Sequence, residues 1–392
     1  MGDRLMILGA SRGQVGLYRA CRKLGVESVA ASIPGDYPGF DLADHICEVD
    51  ITNREGVIAA AREWEVDGIA TSCMDTGLDV LGAVCETLGF PGLSSESASV
   101  CASKLLLKSR LVERAVPTAA YIELQDVEEF DSAAERIGTP IVMKSRLSQG
   151  SNGVFITGDL DEARSWVAKV IEREGSCIVE RYLDGYEFGA QACVSNGKIL
   201  FVMPHGDITF QAQSPIPVGH YVPLDAGAKV RQRAVEVSRQ AIEALELDDC
   251  AVNIDIIFSG GECYILELTG RAGANTLPEL VSAHYGIDYY EVIVMLALGR
   301  EIPPGCFGSA QDGIVLGKMV YVDEDATIGR IDITPTVEGL VDARPFVREG
   351  SRVRSFRSLA DCIGQIVVVG DTLEECFERT DRQFESMFTI ER

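Results

Sequence analysis

At 392 residues the chain is too long for one hydrophobic core and should divide into two to four domains, at roughly 100–200 residues each. Hydrophobic residues at 46% and charged residues at 24% exclude wholesale disorder. Lys plus Arg number 35 against 60 Asp plus Glu, a net charge of −25 that excludes nucleic acid as a bulk partner but leaves room for a small anion in a local basic pocket.

The chain runs straight into a strand pattern, Leu5–Leu8, with no signal-peptide apolar region, and no apolar run reaches the ~20 residues that span a bilayer. A cytoplasmic location without membrane contact is expected. Twelve cysteines agree with it, since no two are closer than twelve residues and no CxxC occurs; most read as small core hydrophobes of a reducing compartment. After Leu8, Gly9-Ala-Ser-Arg-Gly-Gln-Val-Gly16 turns into a helix through Leu24. Ser28–Ser32, a helix around Arg54–Glu65 and Gly68–Thr71 continue the βαβ rhythm of a parallel sheet with helices on its faces. The glycines are spaced GxxxGxxG, which reads as a tight turn and does not fit the dinucleotide pattern GxGxxG.

Further on, Ser99–Arg114 is helical up to Val116-Pro117, and a helix over 127–137 leads into the strand Ile141–Lys144. The polar loop Ser148–Gly153, a helix over 160–174 and the strand Cys177–Tyr182 follow. Glu187–Val194 and Lys198–Met203 pair across Asn196-Gly197, a strong hairpin signal. Residues 204–223 hold four prolines and read as a structureless stretch, the kind of long loop that serves as a lid. A helix over 226–245, a hairpin over 252–269 and a helix over 279–298 come next. Beyond Pro303-Pro304 the chain is β-rich to about Val369 and closes with a helix over 373–384.

Chemistry concentrates in the middle third. Lys144 ends an apolar strand and precedes a loop whose small residues Ser148, Ser151 and Gly153 would let backbone N–H groups approach phosphate oxygens. In Ile178-Val-Glu-Arg-Tyr-Leu-Asp-Gly-Tyr-Glu187 an apolar strand leads into acceptors suited to an adenine amino group, and Glu187 suits ribose hydroxyls. If the turn of the 252–269 hairpin is the three residues 260–262, Asp255 falls opposite Glu267; with a two-residue turn the two would face opposite ways. Carboxylates directly opposite repel unless a cation lies between them, and hard oxygen pairs of this kind hold Mg²⁺ in phosphoryl-transfer sites.

Taken together and in this order, these segments make the chain resemble an ATP-grasp ligase over nearly its whole length. The family's first lysine, thirteen residues before a Val-Pro proline, falls on Lys104; Lys108, one turn on, is expected to matter far less. The second lysine falls on Lys144, the adenine stretch on Glu180, Arg181 and Leu183, the ribose carboxylate on Glu187, and the metal pair on Asp255 and Glu267. The closing Glu-x-Asn-x-Arg of the family reads Glu267-Leu-Thr269-Gly-Arg271, so Thr269 stands where asparagine is usual. That leaves a second Mg²⁺ with a poorer ligand, or with water in its place.

The resemblance implies an α/β fold. It comprises a pre-ATP-grasp, Rossmann-like parallel α/β domain over 1–95 and a two-lobed α+β ATP-grasp core over 96–302. The small lobe of that core falls at about 115–185, its lid at 204–223, and a small β-rich C-terminal domain at 303–392. It implies ATP and Mg²⁺, with Mn²⁺ as an alternative ion, and a carboxylate activated as an acyl phosphate for attack by an amine. Lys144 and Arg271 would be catalytic, Arg271 holding the carboxylate or the oxyanion, with Gly273 and Asn275 in the segment offering backbone donors. His205, Gln211 and His220 in the proline-bearing stretch would meet the acceptor. The partners are then ATP, a small carboxylate and an amine; a homodimer is left open. A purine-pathway carboxylase or formyl-phosphate enzyme is the runner-up, disfavoured because 204–223 carries no Arg or Lys. A non-catalytic ATP-binding module is disfavoured by the presence of both lysines and both carboxylates.

Overall fold

The computed structural model describes residues 2–146, 153–211, 216–308 and 310–391. The opening alternation of apolar runs and helices forms β1 (Arg4–Leu8), α1 (Val15–Leu24), β2 (Glu27–Ser32), β3 (His45–Glu48), α2 (Arg54–Glu63), β4 (Gly68–Ala70) and α3 (Leu78–Leu88). The four strands make a parallel sheet in the order β3-β2-β1-β4. Strand β1 is buried on both faces: Met6 and Leu8 pack toward one core cluster, Leu5 and Ile7 toward another. The glycines after β1 serve packing. A Cβ on Gly16 would lie 2.3 Å from the Tyr290 ring, so a bare Cα is what lets a later helix close against α1.

The helix expected over 99–114 is two, α4 (Ser95–Cys101) and α5 (Lys104–Glu113), because the Ser103 side chain caps the second by accepting from the Leu106 N–H. A small lobe follows: β5 (Tyr121–Leu124), α6 (Phe130–Ile137), β6 (Ile141–Ser145), β7 (Val154–Thr157), α7 (Leu160–Glu174) and β8 (Cys177–Arg181), with sheet order β5-β8-β6-β7 and its own core around Phe130, Met143 and Val167.

The main sheet has eight strands, all paired antiparallel. It contains β9 (Tyr186–Ser195), β10 (Lys198–Phe210), β11 (Ile216–Val222), β12 (Cys250–Ser259) and β13 (Glu262–Thr269), with α8 (Ala228–Ala244) packed on it. The stretch expected to be a structureless lid is therefore a hairpin. Pro204 sits inside β10 opposite Ala190, and Pro217 lies at a register shift in β11, so the prolines are absorbed by a long bulged ribbon. The helix expected over 279–298 is also two, α9 (Leu277–Tyr285) and α10 (Tyr289–Ala297), divided by left-handed Gly286 and the Asp288 cap. In the C-terminal third, β14 (Ile314–Val320), β16 (Leu340–Pro345) and β18 (Gly364–Gly370) extend the main sheet through the β11–β14 pairing instead of building a separate one. A smaller sheet holds β15 (Ala326–Ile331), β17 (Arg352–Val353) and β19 (Phe388–Glu391), with α11 (Leu373–Met387) alongside. Among the described residues no helix is long and apolar enough to cross a membrane, and ten of the twelve cysteines are buried, all of them free.

Gly16→Val should cost about 2 kcal/mol of stability in urea unfolding, since overpacking against a fixed ring forces backbone movement. Gly158→Ala, whose Cβ meets open space, should stay within about 0.5 kcal/mol.

Candidate functional site

Glu180, the second-last residue of β8, is buried, and its Oε2 lies 3.1 Å from the Nζ of Lys144 on β6 and 3.1 Å from the Nζ of Lys108 on α5. Cross-strand pairing sets this up, because Glu180 is opposite Val142, two residues before Lys144 on the same face. Burial works to raise the Glu180 carboxyl, and the two ammonium groups outweigh it and hold the group below its ordinary value. Lys108, only 2% exposed, is pushed down to about 8 by burial, against the pull of Glu180. Lys108, expected to matter far less, is turned inward by α5, where it also donates to Thr118 Oγ1 at 2.8 Å. Lys104 stands half-buried in the first turn of α5. Glu180 Oε1 is buried with no hydrogen-bond partner among the described residues, a vacant acceptor of the kind an adenine amino group fills. Arg181 reaches back to the Ile137 carbonyl, Leu183 lies in the β8–β9 connection and Glu187 is exposed on β9. Gly153 precedes β7; Ser148 and Ser151 lie outside the described residues.

One face of the main sheet carries the carboxylate pair. Gly260 and Gly261, both at positive φ, form a two-residue turn that pairs Ser259 with Glu262. That register alone would set Asp255 against Leu266 and turn Glu267 to the other side. A bulge restores the facing: Ile256 pairs with Ile265, Asp255 with Glu267, and Leu266 is the extra residue. The two carboxylates face each other although the turn is the two-residue alternative, which without the bulge would part them. Lost hydration in the cleft, and then the charge of Glu267, push the Asp255 carboxyl up to about 7. Thr269 is paired with Asn253, and its buried Oγ1 has no partner among the described residues. Two opposed carboxylates with an unfilled hydroxyl form an all-oxygen donor set that fits Mg²⁺.

The same row continues across the sheet. Gly189 is opposite Asp255 on one side and His205 on the other, and a Cβ on Gly189 would lie 2.5 Å from His205 Nε2. Asp207 Oδ1 meets both His205 Nδ1 at 3.1 Å and His220 Nδ1 at 2.7 Å. Burial acts to raise Asp207, but the two imidazoles hold it well below the usual carboxylate range. Gln211 is not part of this group; it is exposed beyond β10 and bonds Thr209.

Arg271 is clasped by Asp75, from the loop after β4, through Nε at 2.8 Å and Nη2 at 2.9 Å. The Gly273 N–H, expected to be a free donor, is taken by Gln191 Oε1 at 2.9 Å, while Asn275 lines a cavity of about 240 Å³. That cavity lies where the Ser11–Gly13 turn, the segment after Arg271 and the C-terminal strands meet. Its wall holds Glu279, whose Oε1 accepts from Tyr290 and Gln365, beside Arg344 and Arg12. Arg344 Nε and Thr276 Oγ1 are buried there without partners among the described residues. Sequence reasoning missed Lys108, Asp75, Glu279 and Arg344. The pairing of Arg344 with Glu279 joins residues 65 apart and left no local signal. The inward turn of Lys108 was legible in principle, since it shares a helix face with Leu111.

Residues 102–211 match the family described as phosphoribosylglycinamide synthetase, ATP-grasp (A) domain. The crystal structure of phosphoribosylglycinamide synthetase from Anaerococcus prevotii is 35% identical, covering 100% of this chain and 99% of that one with a TM-score of 0.87. An L-amino acid ligase from Bacillus licheniformis superposes with a TM-score of 0.79 at 18% identity, over 99% of this chain and 98% of its own, a likeness of fold. The L-arginine-specific L-amino acid ligase of Bacillus subtilis is 21% identical over 54% of this chain, which spans only 53% of that protein.

Lys108→Met should destabilise the protein by about 2–4 kcal/mol, because Glu180 would remain buried with one ammonium partner instead of two. Thermal and urea unfolding would measure it; a change below about 0.5 kcal/mol would show that Lys144 alone suffices.

Proposed function

The chain belongs to the ATP-grasp carboxylate–amine ligases, and on that premise we propose that it activates the carboxylate of an amino acid as an acyl phosphate for attack by an amine. The observation that carries the amino-acid reading is the cavity lined by Ala274 and Asn275, where Glu279 and Arg344 place opposite charges side by side. A zwitterion needs both signs within a few ångströms, and Arg344 and Glu279 supply them 3.5 Å apart.

In this reading the nucleotide lies between the lobes. Glu180 Oε1 accepts from the adenine amino group, Glu187 takes the ribose hydroxyls, and Lys144 brings charge to the phosphates; Lys104 stands in the first turn of α5 for the same purpose. Bound by Asp255, Glu267 and Thr269, Mg²⁺ would supply charge neutralisation to the phosphate oxygens. The substrate carboxylate oxygen attacks the terminal phosphorus and the bond to the ADP oxygen breaks. The amine nitrogen then attacks the carbonyl carbon, the bond to the phosphate oxygen breaks, and the ammonium proton is lost. Arg271, fixed by Asp75, presents a rigid guanidinium to the charge that develops on the carbonyl oxygen.

One observation favours a second acceptor. The 35% identical relative is named for making phosphoribosylglycinamide, in which a glycine carboxylate is joined to a sugar-phosphate amine. The amino-acid carboxylate is common to both readings and only the amine differs. The cavity wall holds Arg12 and Arg344 as well as Glu279, so its charge does not separate the two amines.

Phosphate release and product mass should be followed across amino-acid pairs and with glycine plus phosphoribosylamine. Arg344→Ala should raise the amino-acid KM by about tenfold to a hundredfold while the ATP KM holds; unchanged amino-acid KM would move the substrate out of this cavity. Glu267→Gln should abolish turnover while stability holds or rises, because it removes a metal ligand and relieves the repulsion with Asp255. Near-normal activity of that variant at low Mg²⁺ would sink the metal assignment.

A further inference from the structure

We propose that His205, Asp207 and His220 form a binding site for one divalent transition-metal ion, distinct from the Asp255–Glu267 pair. His205 and Asp207 are two residues apart on β10, and His220 on β11 is the cross-strand partner of Asp207, so all three side chains leave one face of the ribbon. Their three donor atoms lie within 4.8 Å of one another. The imidazoles stand at 81° with centroids 5.1 Å apart, so their Nδ1 atoms come to the Asp207 oxygen from different directions.

Geometry and charge both suit an ion. Bonds of about 2.0–2.1 Å in a tetrahedral site want donors roughly 3.3 Å apart. The observed contacts of 3.1 and 2.7 Å meet that if they open by about 0.2 and about 0.6 Å. Both imidazoles are buried, at 2% and 5% exposure, and the partly exposed Asp207 leaves a way in. Two imidazoles and one carboxylate select borderline ions such as Zn²⁺, Co²⁺ or Ni²⁺, whereas the all-oxygen pair next door suits Mg²⁺. Three protein ligands leave at least one position for water or a substrate atom.

Binding at Nδ1 displaces the proton that Nδ1 donates to Asp207, and Nε2 is then the ring atom that carries it. His205 Nε2 has no partner among the described residues and lies over Gly189, whose cross-strand partner is Asp255. With Nδ1 on an ion, the Nε2–H would point toward the row that holds this carboxylate, the outer-shell arrangement that orients metal-bound imidazoles. Any side chain at position 189 would close that approach.

The test is a Co²⁺ titration of metal-free full-length protein with Mg²⁺ saturating the carboxylate pair, read by visible absorption. The expected result is one Co²⁺ per chain with a d–d band of mixed nitrogen and oxygen ligation, displaced by Zn²⁺. Asp207→Asn and His220→Gln should each weaken Co²⁺ by roughly a hundredfold, and Glu267→Gln should keep it. Absence of the band in the unmodified protein overturns the proposal whether or not the variants fold. A band that survives Asp207→Asn and His220→Gln, or that vanishes in Glu267→Gln, also overturns it and leaves the three residues as a hydrogen-bonded group.

Discussion

Two carboxylates directly opposite each other in a sheet are unstable neighbours, and much of the molecule is arranged to keep them there. Asp255 and Glu267 share a face because a bulge at Leu266 undoes the register that the tight Gly260-Gly261 turn would otherwise impose. The repulsion makes the pair a poor structural device and a good cation ligand. Its neighbours conform: Gly189 has no side chain to fill the row, and Thr269 contributes a hydroxyl that nothing else in the described residues satisfies.

The lysine cluster is tied to the same bulge. Lys108 donates to Thr118, Thr118 donates to the carbonyl of Ile265, and Ile265 is the last regularly paired residue before Leu266. The Pro117 carbonyl also accepts from the Ile265 N–H. The strand end that fixes Glu267 is thus braced by the residues that hold Glu180 between two ammonium groups. The Glu180 cluster and the Asp255–Glu267 pair form one connected frame, and the parallel N-terminal sheet joins it where Asp75 clasps Arg271.

Residues that speak through local pattern were legible in the sequence. The βαβ opening, the apolar strand ending at Lys144 and the spacing of Asp255 from Glu267 all rest on periodicity and short-range geometry, and the structure sets Asp255 opposite Glu267 and pairs Lys144 with Glu180. Three things were not legible. A bulge can cancel a turn, so the right pair followed from the wrong loop length. Prolines 204 and 217 were read as breakers, yet a long ribbon takes Pro204 in regular register and Pro217 at a register shift, and buries His205 and His220. Cavity-lining Glu279 and Arg344 come from elements that meet only through tertiary packing, and nothing near either residue announces the other.

The most direct measurement uses ATP labelled with oxygen-18 at the bridge between its β and γ phosphorus atoms, incubated with Mg²⁺ and single amino acids but no amine acceptor. Reversible formation of an acyl phosphate frees the β-phosphoryl group to rotate before ATP re-forms. The expected result is scrambling of the label to non-bridging positions that depends on the added carboxylate and is lost in Glu267→Gln. Turnover to ligated product with no carboxylate-dependent scrambling, or scrambling that is indifferent to the carboxylate, would contradict activation through an acyl phosphate at this site.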